Sequence, residues 1–228
     1  HFVGRPGMSA IGRHLADGLA VRIRTRVAEL GREDEGWRLS DDGGQDLGYY
    51  DWVLATAPAA QTAALLPPEF DGQTRLAQTR MLGCFALMLG FEQAPDLPFD
   101  AALVRGSRLS WISVDSSKPG RSAAPRLVAL ASNAWAEAHM ERPLEEVRKT
   151  LCDELEELIG RSLPPADVAE VHRWRYANIP SQSGPRSLLD ARMRLGACGD
   201  WCVYGRVEGA FSSATDLADR LLPLFDGT

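Results

Sequence analysis

No stretch of this 228-residue sequence is apolar for the roughly 18 to 20 residues that a membrane-spanning helix requires. The opening residues also lack the charged and apolar regions of a secretory leader. Both absences predict a soluble, cytoplasmic protein with no membrane contact. Cysteine is scarce: the four residues Cys84, Cys152, Cys198 and Cys202 are too few and too dispersed for a disulfide scaffold in a chain of this size. Cys198 and Cys202 stand near one another, but no second pair and no nearby histidine completes a metal set, so buried reduced thiols and no metal are expected. Basic charge is not in excess either. With 25 Lys and Arg against 31 Asp and Glu, scattered rather than striped, the net charge of -6 argues against a nucleic-acid surface. The sequence holds no Gly-x-Ser-x-Gly elbow, no phosphate-binding loop ending in Lys-Ser or Lys-Thr, no His-Glu-x-x-His, and no Gly-x-Gly anywhere.

What is present is ordinary globular material: 45% apolar residues, enough for the core of one large domain or two small ones. Pro6-Gly7-Met8-Ser9 leads into a helix over residues 10–19, with Ser9 as its N-cap and Gly18 as its stop. Val21, Ile23, Thr25 and Val27 then alternate with Arg22, Arg24 and Arg26, the period of a strand with one apolar and one basic face. Two strand-like runs, Trp37 to Leu39 and Tyr49 to Thr56, flank the turn Asp41-Asp42-Gly43-Gly44 and read as a hairpin that ends at Ala57-Pro58.

A short helix near residues 60–66 is closed by Pro67-Pro68. Strands follow at 82–91, 101–104, 109–114 and 127–132, and their close succession predicts a mostly antiparallel sheet. The clearest helix runs from Pro143 to Ile159: Leu144, Val147, Leu151, Leu155 and Leu158 make one stripe, the acidic residues make a solvated face, and Gly160 ends it. In the strand over 171–177, alternation puts His172, Trp174 and Tyr176 on one face and Arg173 and Arg175 on the other. That face is either a stacking wall for a ligand or aromatic packing within a sheet. His14 and His139 fall on helices without a nucleophile partner and read as structural.

The rest of the chain is organised around its closing stretch. An apolar strand ends at Gly199-Asp200, and a turn framed by Gly205 and Gly209 opens a helix whose apolar residues recur through Leu217 and Leu221. Unpaired amides at a helix start attract an anionic or carbonyl-bearing group. Pattern alone also allows a turn that holds only itself.

The order Gly199-Asp200, Gly205-Arg206-Val207-Glu208-Gly209-Ala210 and a small-residue helix resembles the C-terminal flavin signature of monoamine-oxidase-type flavoproteins, and more narrowly the renalase-like family. Pro6 to Ala10, the basic strand, Val53-Leu54-Ala55-Thr56-Ala57-Pro58 and the run His172-Arg173-Trp174-Arg175-Tyr176-Ala177 are similar to the same proteins. The resemblance implies FAD as cofactor, with Val27 at the adenine, Ala57 by the dinucleotide, Asp200 with its neighbour Gly199 at the ribitol and phosphates, and Val207, Glu208, Gly209 and Ala210 at the isoalloxazine. It implies a substrate pocket reached by His172, Trp174 and Tyr176, a C–H next to nitrogen as hydride donor, and O2 as acceptor. The renalase-like substrate is a dihydropyridine isomer of NAD(P)H; relatives act on amines. No catalytic acid or base is assignable.

The expected fold is α/β in the α+β sense. An incomplete FAD-binding part spans residues 1–60 and 190–228, and a substrate-binding part, an antiparallel sheet with packed helices, spans 61–189. Family members begin with a strand, a Gly-x-Gly-x-x-Gly turn and a helix that hold the pyrophosphate. Without that N-terminal βαβ unit the chain reads as the C-terminal two-thirds of such a flavoprotein, inactive alone, with the N-terminal segment as its partner. Two rivals remain open: an amine oxidase or desaturase of the same fold, and a non-catalytic scaffold that holds no flavin.

Overall fold

A computed structural model describes residues 2–225. The chain opens with α1 (Ser9–Leu15), β1 (Val27–Glu33), β2 (Gly36–Asp41), β3 (Asp46–Tyr50) and β4 (Val53–Ala55). Next come α2 (Ala59–Leu65), α3 (Gln73–Gln78), β5 (Leu82–Gly90), β6 (Ala101–Leu103), β7 (Leu109–Val114) and β8 (Arg126–Ala131). It closes with α4 (Asn133–Ala138), α5 (Leu144–Ile159), β9 (Val168–Asn178), β10 (Leu188–Asp190), β11 (Leu195–Ala197) and α6 (Val207–Leu221). These elements form two compact units, residues 1–21 with 83–175 and residues 22–82 with 176–228.

The first unit is built on a five-stranded sheet in the order β6-β7-β8-β5-β9. β5 pairs antiparallel with β8, β8 with β7, and β7 with β6. Alternation along β5 turns Phe85, Leu87 and Leu89 to one face, where Val147, Leu151 and Leu155 of α5 join them in a shared core. The helix keeps only the middle of its expected stripe buried, because Leu144 and Leu158 at its two ends are exposed. Gly160 stops it in the left-handed conformation (φ +75°), with its amide on the Glu156 carbonyl at 2.9 Å.

One carboxylate of α5 is drawn inward. Glu154 accepts from the Ser107 hydroxyl, from the Arg108 amide at 3.2 Å and from the Arg108 guanidinium at 2.6 Å. Burial raises its pKa, but those donors outweigh burial and bring it below the ordinary 4.5.

The second unit holds two three-stranded sheets, β1-β2-β3 and β10-β11-β4. The first is an antiparallel meander. In the second, β10 runs antiparallel to β11 while β4 runs parallel to it, with Val53, Leu54 and Ala55 opposite Leu195, Gly196 and Ala197. Residues more than a hundred positions apart therefore meet in one sheet. The buried Trp37 of β2 joins the sheets by donating its indole N–H to the Met193 carbonyl at 2.9 Å, and Arg32 of β1 donates to the same oxygen at 3.0 Å. Ala59, Leu66, Phe70 and Leu76, from α2, α3 and the loops beside them, complete the core around Trp37.

The observed division differs from the boundaries expected at 60/61 and 189/190. Residues 61–82 pack with the second unit because Leu66, Phe70 and Leu76 belong to the Trp37 core, and 176–189 follow through Ile179 and Leu188. The first 21 residues go with the first unit, where the Arg121 guanidinium binds the carbonyls of Gly4 (3.0 Å) and Pro6. The strand expected over 21–27 is also corrected. β1 starts at Val27, and the alternating residues before it are irregular, with Arg24 at φ +56°. α1 takes Met8 rather than Ser9 as N-cap, and the second hairpin arm breaks at Asp51-Trp52 into β3 and β4.

Glu154→Gln tests the Ser107 and Arg108 network. A carboxyl with a lowered folded pKa adds stability above its ordinary value near 4.5, and that stability is lost as pH falls through the folded value. The variant is expected to lose about 1–3 kcal/mol at pH 7 and to show a flatter acid limb in thermal denaturation between pH 3 and 7.

Candidate functional site

The closing turn is fixed from both sides within the second unit. β11 is wholly buried, and the next amide, Cys198, donates to the Ala55 carbonyl at 3.1 Å. The Gly199 amide donates to the Ser213 hydroxyl at 3.0 Å, and that hydroxyl donates to the Arg186 carbonyl at 2.6 Å. Trp201, 1% exposed, sends its indole N–H to the Ala57 carbonyl at 3.1 Å. The turns after β4 and β11 are thereby tied together.

Two glycines of the turn are required by close packing. A Cβ on Gly199 would lie 2.4 Å from the Trp201 indole nitrogen, and one on Gly209 would lie 2.2 Å from the Tyr204 carbonyl oxygen. Both demands come from the chain itself. Asp200 is half-buried beside them; burial lifts its carboxyl pKa, and the Trp201 amide and its own amide only partly oppose that. The neighbouring thiols are poor nucleophiles, since burial pushes Cys202 up to about 11 and raises Cys198 as well.

α6 begins beyond Tyr204-Gly205-Arg206. Its N-cap, Arg206, makes no side-chain cap, and Val207 and Glu208 in the first turn are exposed. The positive end of a 15-residue helix is thus presented uncapped. Ala210 contributes a methyl group but no free amide, since its N–H closes the first turn on the Arg206 carbonyl at 3.1 Å. Ala57 likewise has its carbonyl taken, by Trp201 and by the Thr62 hydroxyl at 2.9 Å.

The structure brings Ala57 together with the stretch from Gly199 to Ala210. Val27 belongs to the same unit, but it sits at the start of β1, whereas the side chains that tie β1 and β2 to Met193 are Arg32 and Trp37. Beside it lies a polar cleft of about 390 Å³ lined by Arg22, Arg24, Arg26, Asp41, Asp42 and Asp46. On β9, His172 and Trp174 form a tilted pair, ring centroids 4.1 Å apart, and both are exposed. Arg173 takes the opposite face over the Phe85 ring, at 5.7 Å. Tyr176, exposed, falls just past the unit boundary.

Sequence reasoning missed Trp201 and Ser213, which hold the turn in place. A tryptophan after a Gly-Asp pair and a serine inside a small-residue helix carry no signal until the strands they bridge are known.

Residues 1–222 match the family described as flavin-containing amine oxidoreductases. The chain belongs to that family. Among solved structures it is similar to a protein described as a protoporphyrinogen oxidase from Exiguobacterium sp. 255-15, with TM-score 0.75 and 19% identity over 94% of this chain and 51% of that one. It is also similar to putrescine oxidase solved with putrescine bound, with TM-score 0.65 and 16% identity over 95% of this chain and 53% of the other. The chain spans about half the length of these neighbours.

Family membership gives FAD as the cofactor. The closing turn offers such a group an uncapped helix start and a half-buried carboxyl whose pKa burial raises.

Asp200→Asn separates the cost of burying this carboxyl from its use. A raised folded pKa means that stability falls as pH climbs from 3.8 through the folded value. The variant is expected to melt at a higher temperature at pH 7 and to lose that decline, as measured by thermal scans across pH 3–7.

Proposed function

We propose that the second unit holds FAD, with Asp200, Gly199 and the Val207, Glu208 and Gly209 amides on the flavin, Ala210 and Ala57 bordering it, and Val27 at the adenine. The observation that carries this reading is the exposed, uncapped start of α6 next to the half-buried Asp200. Bound there, FAD would supply the redox chemistry, accepting a hydride from a C–H next to nitrogen and passing its two electrons and proton, with a second proton from solvent, to O2 as hydrogen peroxide. The chain's own task is to bind and orient, which agrees with the lack of a nucleophile or acid–base motif.

The substrate in this reading is a dihydropyridine isomer of NAD(P)H, whose flat ring suits the exposed His172–Trp174 pair, with Tyr176 further along the strand. On that face of β9 the one acidic residue is Glu170, which leaves little to hold a multiply charged amine. Amine oxidation is the second reading, favoured by the description of the family itself. The pyrophosphate of FAD calls for a Gly-x-Gly-x-x-Gly unit, which is not among these 228 residues, so this reading assigns them the flavin and adenine contacts alone.

The test begins with the protein expressed from its native gene. Absorption bands of oxidised flavin are expected, and their absence after reconstitution with FAD rejects the cofactor assignment. Peroxide release with NAD(P)H isomers but not with amines supports the first substrate reading, and the converse supports the second. Trp174→Ala is expected to raise KM about tenfold, the equivalent of about 1.4 kcal/mol of ring contact, with kcat little changed.

A further inference from the structure

The first unit holds an open cleft of about 610 Å³ where the loop before β7 meets α4 and α5. Ser107, Arg108, Ser132, Trp135, His139 and Glu157 line it, and none of them is assigned to the flavin or its substrate. One wall is rigid. The Trp135 indole stacks on the His139 imidazole, ring centroids 4.4 Å apart and planes 18° from parallel, and meets the fully buried Phe85 ring edge-on at 5.8 Å. α4 is itself pinned to β5, because Asn133 donates to the Gly83 carbonyl at 2.8 Å and Glu137 accepts from the Gly83 amide at 2.6 Å.

Three groups in this cleft have acceptor capacity left over. His139 Nδ1 lies 2.7 Å from the Trp135 carbonyl; a carbonyl only accepts, so Nδ1 carries the proton and Nε2 of the neutral ring is a bare lone pair. Ser132 is the N-cap residue of α4, yet its hydroxyl caps no amide. On α5, Glu145 pairs with Arg148, Asp153 with Lys149 and Glu154 with Arg108, while Glu156 accepts from the Leu163 amide at 2.8 Å. Glu157 is three residues on from Glu154, on the same side of the helix, and its carboxylate has no partner among the described residues.

Charge selects what such a cleft takes. The guanidinium of Arg108 is committed to Glu154, so the charge left uncompensated is that of Glu157. An anion would face two carboxylates, whereas a cation meets a free carboxylate, two neutral acceptors and an aromatic wall. We propose that this cleft binds a small primary ammonium ion with an apolar or aromatic substituent. Its N–H groups donate to the Glu157 carboxylate, His139 Nε2 and the Ser132 hydroxyl oxygen, and its substituent lies against the Trp135–His139 stack. Three donors on one nitrogen match three acceptors in one cleft. All of these residues belong to the first unit, and the residues assigned to the flavin belong to the second.

The probe is cumylamine, a primary amine with no C–H next to nitrogen, so that a flavin cannot oxidise it; cumyl alcohol is its uncharged counterpart. Both are titrated by calorimetry into the protein expressed from its native gene, with flavin absorption recorded alongside. The ammonium form is expected to bind at least about tenfold more tightly than the alcohol. Glu157→Gln, at an exposed position, is expected to weaken amine binding about fivefold with the melting temperature and the flavin spectrum unchanged. His139→Phe keeps a ring in the stack, removes the acceptor, and is expected to weaken binding about threefold. Undiminished amine affinity in Glu157→Gln overturns the proposal, as does equal affinity for the alcohol or no binding of the amine. A change in flavin absorption that persists at full affinity in Glu157→Gln places the amine at the cofactor instead, and overturns it as well.

Discussion

The hydrogen bond from the buried Trp201 indole to the Ala57 carbonyl, 3.1 Å long, is the constraint on which the second unit turns. With the indole 1% exposed, an unmade bond would leave its N–H without solvent. Keeping it fixes the turn after β4 relative to the turn after β11, and so decides where Asp200 stands and where α6 begins. Gly199 is small because the indole lies against it, and Gly209 is small because the Tyr204 carbonyl does. A motif that reads as a ligand cradle is thus shaped first by the chain's own packing, and what it presents outward is an uncapped helix start.

The first unit meets a different requirement. Its sheet is sealed on one side by α5, and the inward Glu154 is held by three donors, so the buried carboxylate keeps its charge. The opposite side of β9 carries the exposed His172–Trp174 pair. Rigid backing on one face leaves these two rings open on the other, and the proposed recognition of a flat molecule rests on that arrangement.

Elements with a long, one-sided pattern were legible in the sequence. α5 announces itself through Val147, Leu151 and Leu155, and β5, β7 and β8 through apolar runs bounded by turns. β10, three residues long, falls below the length at which a period can be read, and α3 is too polar and short to show a face, whereas β11, equally short, is marked by the apolar run that ends at Gly199-Asp200. The run Val21 to Val27 failed for another reason. Alternation says which side chains share a side, but a strand also needs neighbouring backbone to pair with, and β1 begins only where β2 supplies it. The candidate site was legible as far as Gly199, Asp200 and Gly209, residues that a motif names. The bonds made by Trp201 and Ser213 were not, because their partners Ala57 and Arg186 lie far off in the sequence.

Because Arg121 clasps the backbone at Gly4 and Pro6, the opening residues belong with a unit whose remainder starts at residue 83, and the polypeptide passes between units after residues 21, 82 and 175. Neither unit is a continuous stretch of chain. During synthesis the first cannot close until its final strand has left the ribosome, and the second must wait for the C-terminal helix while its early hairpin stands unfinished. Such interleaving slows assembly and lengthens the exposure of apolar strands, but it also means that a single proteolytic nick in a loop does not release either half.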